Sequence, residues 1–257
     1  MCYFSGGCTH PSEIYGDTMI EELWPKGPKF NNDESVFRPG IDSILLAYFA
    51  NNARQKTHFR AVDLGCGSGI ISILLAWDAP ESRIDGVEIQ CRAAELAAEN
   101  AKLSGLSDRI TIINGDLRCH RSFLRAGVYD IAISNPPYYL HGGGKLSIDK
   151  NIAIARGEES CTLIDICNAA AYLIRWGGSF FLVHKPERLN EIFNVLSTYD
   201  LEPKRLRFVQ HTYSSPPSLV LIESRRGGKP TLKVEAPFIL TNEDGSDTDE
   251  AKIVYRR

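Results

Sequence analysis

Ala61-Val62-Asp63-Leu64-Gly65-Cys66-Gly67-Ser68-Gly69 is the stretch that decides how this chain folds. A mostly apolar run, Phe59–Leu64, enters three alternate glycines and then Ile70–Trp77, which reads as a helix. A glycine loop gains meaning in that setting, between the end of a strand and the start of a helix. Glycine allows a tight turn and close approach by a ligand, whose polar end meets the first N–H groups of the helix. The spacing is GxGxG, not the GxGxxG of dinucleotide enzymes. Strand–helix turns also use glycine for purely structural reasons, so the loop needs support from its surroundings.

Working outward, strand-like runs alternate with helical ones. The strands read as Phe59–Leu64, Arg83–Ile89, Arg109–Asn114, Tyr129–Ser134 and Gly178–Lys185, with helices at Ile70–Trp77, Cys91–Ser104 and Thr162–Arg175. Such alternation implies right-handed crossovers and a parallel sheet covered on both faces. After a helix at Glu187–Tyr199, the strands Arg205–His211 and Leu219–Ser224 are joined by a short Thr-Tyr-Ser-Ser-Pro-Pro turn. A turn that short permits a hairpin but no parallel crossover, so the sheet should end in an antiparallel pair. Asp42–Asn52 reads as an amphipathic helix. Residues 1–39, rich in Pro, Gly and Asn, read as an extension packed on a single domain spanning 40–257.

Composition sets outer limits. The chain has 257 residues, 43% hydrophobic and 24% charged, which suits an ordinary globular protein with one large core. No apolar run approaches the ~18 residues needed to span a membrane. Residues 1–40 carry no apolar signal core, so a cytoplasmic protein is expected. The seven cysteines form no CxxC pair, which points to reduced thiols. Cys2, Cys8 and His10 lie near one another, but no second cluster completes a tetrahedral site, and no metal is expected. The net charge of −3 is not that of a typical nucleic-acid binder. Lys204, Arg205, Arg207, Arg225, Arg226 and Lys229 nevertheless crowd one stretch, and a solvated charged face is the plain alternative for such a run.

Two acids support the loop. Glu88 ends the second strand, 19 residues after Gly69, where doubly wound folds place the acid that accepts from ribose hydroxyls. Asp116, in Asn-Gly-Asp-Leu, ends the third strand, where a carboxylate can accept from an adenine amino group. Asp63 can orient the loop or bind a cofactor's charged amino end. Any one of these acids would also suit a turn cap; their order along the chain argues for a nucleoside cofactor.

Asn135-Pro136-Pro137-Tyr138 then follows the fourth strand, at the same end of the sheet. A conjugated exocyclic amine has its lone pair delocalised. The Asn135 side-chain oxygen and the Pro136 carbonyl can accept its two N–H bonds and turn the lone pair toward a methyl donor. Tyr138 offers a ring for stacking a base. Composition alone would also suit a plain turn. With the cofactor elements in register, the reading is methyl transfer to nitrogen.

At this point the chain resembles the class I S-adenosylmethionine-dependent methyltransferases. Asp63, Gly65, Gly67 and Gly69 match that family's cofactor loop, Glu88 its second acidic site and Asp116 its adenine-binding acid. Ile89 and Leu117, beside those acids, join the implied cofactor site. The resemblance implies an α/β fold: a Rossmann-like, three-layer α/β/α arrangement whose seven-stranded sheet has an antiparallel last strand. Asn-Pro-Pro-Tyr resembles the motif of enzymes that methylate adenine N6, guanine N2 or glutamine. A closer match is to bacterial tRNA adenine-N6 methyltransferases that modify position 37 of a valine tRNA. Phe30-Asn-Asn-Asp and Phe37-Arg-Pro-Gly-Ile-Asp42-Ser-Ile-Leu-Leu-Ala47 look like that family's entry segment, which closes over the cofactor. The resemblance implies S-adenosylmethionine as cofactor and tRNA as partner; a monomer is expected.

Tyr139–Glu158 reads as a substrate-gripping loop. His141-Gly-Gly-Gly-Lys145 within it is not a P-loop, because no Ser or Thr follows the lysine. Pro137, Tyr139, Lys145, Arg156, Arg205 and Arg207 are the substrate-contact candidates. Release-factor glutamine methylation, guanine-N2 methylation of rRNA and a catalytically silent scaffold are the competing readings. The first is disfavoured because residues 1–39 are too short for the helical N-terminal domain of those enzymes.

Overall fold

Period-two burial shapes the centre of this protein, because alternate side chains of one strand face opposite sides of a sheet. The computed structural model describes residues 20–32, 36, 40–53, 58–138 and 161–256. The strands are β1 (Ile20–Glu22), β2 (Lys29–Asn31), β3 (Arg60–Leu64), β4 (Arg83–Glu88), β5 (Ile110–Asn114), β6 (Tyr129–Ser134), β7 (Ile174–His184), β8 (Leu201–Gln210), β9 (Pro217–Arg226), β10 (Lys233–Val234) and β11 (Phe238–Ile239). The helices are α1 (Ile41–Asn52), α2 (Ile70–Asp78), α3 (Cys91–Leu103), α4 (Leu163–Leu173), α5 (Leu189–Thr198) and α6 (Asp249–Tyr255).

The main sheet runs β5-β4-β3-β6-β7-β9-β8. Neighbours from β5 to β7 are parallel, and β9 is antiparallel to both β7 and β8. The expected seven strands with one antiparallel member are therefore present, and the last strand in sequence is the reversed one. The sheet is nevertheless nine-stranded, because β10 and β11 add to the outer side of β8.

Two cores lie on opposite faces. Ala61, Ile131, Ile133, Phe181, Val183 and Leu221 pack with α1, α2 and α6. Val62, Ala132, Phe180, Leu182, Val220 and Ile222 pack with α4 and α5. Helices on both faces give the three-layer arrangement expected from the alternation of strands and helices. The Arg109 guanidinium donates to the carbonyls of Ala76 and Ala79 at 2.6 and 3.2 Å, satisfying acceptors around the end of α2.

One boundary differs from expectation. β7 begins at Ile174, directly after α4, rather than at Gly178. Its pairing with β6 jumps from Tyr129↔Ile174 to Ile131↔Ser179, so residues 175–178 bulge out of register. Gly177 takes a left-handed φ of 78° there, and Arg175 reaches back to Asp130 at 2.7 Å. The cysteines also depart from a wholly reduced set: Cys66, Cys161 and Cys167 are free thiols, whereas Cys91 and Cys119 are disulfide-bonded. Cys2, Cys8 and His10 lie outside the described residues. No helix among the described residues is long and apolar enough to cross a membrane.

β1 and β2 form an antiparallel hairpin. Phe30 enters the core, and the Asn31 N–H donates to Asn100 Oδ1 at 2.7 Å. Asn100 Nδ2 in turn donates to Ser68 O at 3.0 Å. One buried amide thus ties the entry segment to the glycine loop.

Candidate active site

The glycine loop lies across the carboxyl end of β3. Its first two N–H groups, on Gly65 and Cys66, donate to Val87 O at 2.9 and 3.0 Å and so pin it to β4. Gly65, Gly67 and Gly69 all have positive φ, at 78°, 54° and 87°. A Cβ at Gly65 or Gly67 would meet nothing within 4 Å, whereas one at Gly69 would lie 3.1 Å from the Ala97 Cβ. The first two glycines therefore line an open cradle, and the third lets α2 pack against α3.

Both acids around the cradle are held in place. Glu88 accepts from Gly67 N and Gln90 N, each at 2.9 Å. Asp63 is fully buried and accepts from the Ser72 hydroxyl at 2.8 Å through Oδ2. Its other oxygen, Oδ1, has no hydrogen-bond partner. Burial, with a smaller push from Glu88, raises the Asp63 carboxyl to about 7, against the opposing Ser72 bonds. A buried, unpaired carboxylate oxygen is costly by itself and suits a cationic donor. Asn114 Nδ2 donates to the carbonyls of Glu88 and Ile89, fixing the end of β4. The Ile89 side chain there is 56% exposed and offers an apolar surface, while Leu117 is buried in the core. Asp116 differs from expectation in one respect. Both its oxygens already accept from Arg118, at 2.7 to 3.0 Å, and that bonding holds its carboxyl below the usual range.

Asn135 sits one strand away, at the carboxyl end of β6. Ser134 Oγ donates to Leu64 O at 2.8 Å and ties that end to β3. Asn135 Nδ2 donates to Ser43 Oγ at 2.8 Å, and its Oδ1 is 2.6 Å from the Tyr138 hydroxyl. The same hydroxyl is 2.8 Å from Asp42 Oδ2, and Asp42 Oδ1 accepts from Ser43 N at 2.9 Å. Burial, then the Asp42 charge, raises the Tyr138 phenol and keeps it protonated. Pro136 is buried and Pro137 exposed. The Tyr138 ring packs against His184 at 5.1 Å and 61°, with Lys185 Nζ 5.4 Å from its centre. Burial, then Arg188, pushes His184 down to about 4, so it stays neutral.

Four of these side chains went unassigned in the sequence: Asp42, Ser43, Ser72 and His184. Asp42 and Ser43 lie in the entry segment, 96 and 92 residues from their partners. His184 ends β7, beside β6, and the rule that ligands bind at strand carboxyl ends was signal enough to find it.

Arg205 and Arg207 are not offered to a substrate. Arg205 pairs with Glu223 at 2.6 Å and Glu235 at 3.4 Å, donates to Phe49 O and stacks 4.2 Å over the Phe49 ring. Arg207 grips both oxygens of Glu250 at 2.6 Å and stacks on Phe238. A guanidinium bound in this way has its fork filled, so both residues hold the C-terminal segment to the sheet. Tyr139, Lys145 and Arg156 lie outside the described residues.

The family model described as the methyltransferase small domain matches residues 29–195, from β2 into α5. The chain belongs to that family. Relatives of this small-domain methyltransferase include a tRNA1(Val) (adenine(37)-N6)-methyltransferase of Porphyromonas gingivalis. It is 31% identical over 202 residues, covering 77% of this chain and 78% of the relative. An enzyme of the same name from Aeromonas hydrophila is 34% identical over 174 residues, covering 66% and 69%. The crystal structure of a predicted O-methyltransferase from Agrobacterium tumefaciens superposes with a TM-score of 0.68. It covers 84% of this chain and 95% of that one at 19% identity, which is a likeness of fold. The protein is thus an S-adenosylmethionine-dependent methyltransferase. Its own residues fit that cofactor: an open glycine cradle, a buried acceptor without a partner at Asp63, and an exposed apolar side chain at Ile89.

Proposed function

We propose that this methyltransferase acts on the exocyclic N6 of adenine in tRNA, at anticodon-loop position 37 of a valine tRNA, in the cytoplasm. The observation that carries the reading is the fixed Asn135 amide at the carboxyl end of β6, one strand from the glycine cradle. The names of the relatives support the substrate.

Bound in the cradle, S-adenosylmethionine supplies an electrophilic methyl group on a sulfonium centre. Asp63 Oδ1 would take the cofactor's amino end, and Glu88 would accept from its ribose hydroxyls. Ile89 and Leu117 would border the adenine, and Asp116 would accept from the adenine amine through lone pairs that Arg118 leaves open. On the substrate side, Asn135 Oδ1 and the Pro136 carbonyl accept the two N–H bonds of the target amine. That draws the nitrogen lone pair out of conjugation and aims it at the methyl, so the contribution is geometric and electrostatic. No base is needed beforehand, because methylation makes the nitrogen acidic. Tyr138 presents one ring face to the base, its other contacts being His184 and Lys185. Exposed Pro137, together with Tyr139, Lys145 and Arg156 as sequence candidates, is our assignment for contacts to the rest of the RNA.

The test is transfer of tritiated methyl from S-adenosylmethionine to unmodified tRNA, followed by nucleoside analysis. N6-methyladenosine at position 37 is the expected product. Label in protein glutamine, or in guanine N2 of rRNA, with none in tRNA would overturn the reading.

A further inference from the structure

The Tyr138 hydroxyl has one proton and two acceptors within reach, Asp42 Oδ2 at 2.8 Å and Asn135 Oδ1 at 2.6 Å. It can donate to only one of them at a time. A bond to a carboxylate is about twice as strong as one to a neutral amide oxygen, so Asp42 wins the proton. Asp42 is also fixed for the task. Ser43 N holds its Oδ1 at 2.9 Å, leaving Oδ2 for Tyr138. A Cβ on Gly40 would lie 2.6 Å from that same Oδ1, so the glycine makes room for the carboxylate.

We propose that Asp42 is a positioning residue for methyl transfer: it draws the Tyr138 proton away from Asn135 and so keeps the Asn135 amide oxygen open to the N–H of the substrate amine. With the proton on the Asp42 side, the 2.6 Å approach of Tyr138 Oη to Asn135 Oδ1 becomes an unbonded, mutually repelling oxygen pair that must move apart. That pair of part-buried oxygens is satisfied when a donor N–H enters. Ser43, bonded to the other end of the amide at 2.8 Å, keeps Nδ2 turned away. Without Asp42, the Tyr138 proton falls back onto Asn135 Oδ1 and competes with the substrate. This inference rests on the amine-acceptor reading above and deepens it.

Two measurements on the full chain decide it. The first is the kinetics of Asp42→Ala, Tyr138→Phe and the double variant on unmodified tRNA. Asp42→Ala should lower kcat by about 10- to 100-fold, the range for a displaced charge-assisted contact, with S-adenosylhomocysteine affinity unchanged. Once Tyr138→Phe has removed the contested proton, Asp42→Ala should slow the enzyme no further. A merely structural Asp42 would slow both backgrounds equally, and that result, or wild-type kcat in Asp42→Ala, overturns the proposal. The second is the ring Cζ carbon shift of Tyr138 in tyrosine-labelled protein, assigned with Tyr138→Phe. It should move in Asp42→Asn and stay put in Ser43→Ala; no movement in Asp42→Asn also overturns the proposal. If the wild type transfers no methyl to tRNA, the substrate reading fails, and the Tyr138 shift still decides whether Asp42 holds the proton.

Discussion

Replacing single glycines by alanine separates the two jobs of the loop. At Gly69 the backbone φ is 87°, and an added Cβ would lie 3.1 Å from the Cβ and 3.3 Å from the Cα of Ala97. Left-handed backbone costs a Cβ-bearing residue about 1–2 kcal/mol. Overpacking against α3, whose backbone cannot easily give, adds about 1–3 kcal/mol. The sum is about 3 kcal/mol, which for a chain of this size lowers Tm by about 6–12 °C. At Gly67, φ is 54° and the added Cβ meets nothing. Only the strain remains, so Gly67→Ala should lose about half as much Tm. Its methyl group, however, projects into the cradle and should weaken S-adenosylhomocysteine binding by about tenfold or more, as a clash in a close-fitting site does. Thermal melts followed by circular dichroism, with titration calorimetry on the same samples, read both effects. If Gly67→Ala melts as low as Gly69→Ala and binds like the wild type, the division of labour drawn from the loop is wrong.

Three further outcomes are expected. Asn135→Ala should cut turnover by about 100-fold or more while S-adenosylhomocysteine affinity stays within about twofold, because its proposed role is toward the substrate amine and not the cofactor; full activity would remove its assigned role. Burial lifts Asp63 from 3.8 to about 7, so its folded-state pKa is raised and folding takes up a proton across that interval. The stability from this group is complete below the unfolded value and is lost as pH rises through about 7. Asp63→Asn, which cannot ionise, should flatten the wild-type decline in Tm over that window, and parallel Tm curves would clear Asp63 as its source. Arg207→Ala should lower stability by about 1–2 kcal/mol through the lost Glu250 pair, which is partly exposed, and leave tRNA affinity unchanged in a filter-binding assay. A fall in affinity at constant stability would return Arg207 to the substrate site.

Some parts of this molecule are readable in sequence for physical reasons, and others are not. β3, β4 and β6 are buried on both faces, so they stand out as apolar runs ended by turns, and the edge strand β5 still reads as one through Ile110, Ile112 and Ile113. The β8–β9 hairpin is readable because six linking residues cannot carry a parallel crossover. β10 and β11 are two residues each and leave no period to detect. The 175–178 bulge looks like a plain turn because Arg-Trp-Gly-Gly has turn composition, yet the flanking residues continue one strand. Asp63, Glu88 and Asn135 are legible because each adjoins its own strand end. The bonds that aim Asn135 are not, since Asp42 and Ser43 come from a helix almost a hundred residues earlier. Arg205 and Arg207 looked basic and free only because sequence does not show Glu223, Glu235 and Glu250 closing around them.

β9 is synthesised after β8 yet lies between β8 and β7. A growing chain can therefore assemble β3 to β6, and with them the glycine cradle, long before the sheet can close. Until Arg226 has emerged, β7 offers an unpaired outer edge that carries Phe180, Phe181, Leu182 and Val183. An open edge of that composition is a template for sticking to other chains. Chains cut short before β9 would keep the cofactor half and lose this protection, so the terminal hairpin also governs how safely the protein can be made.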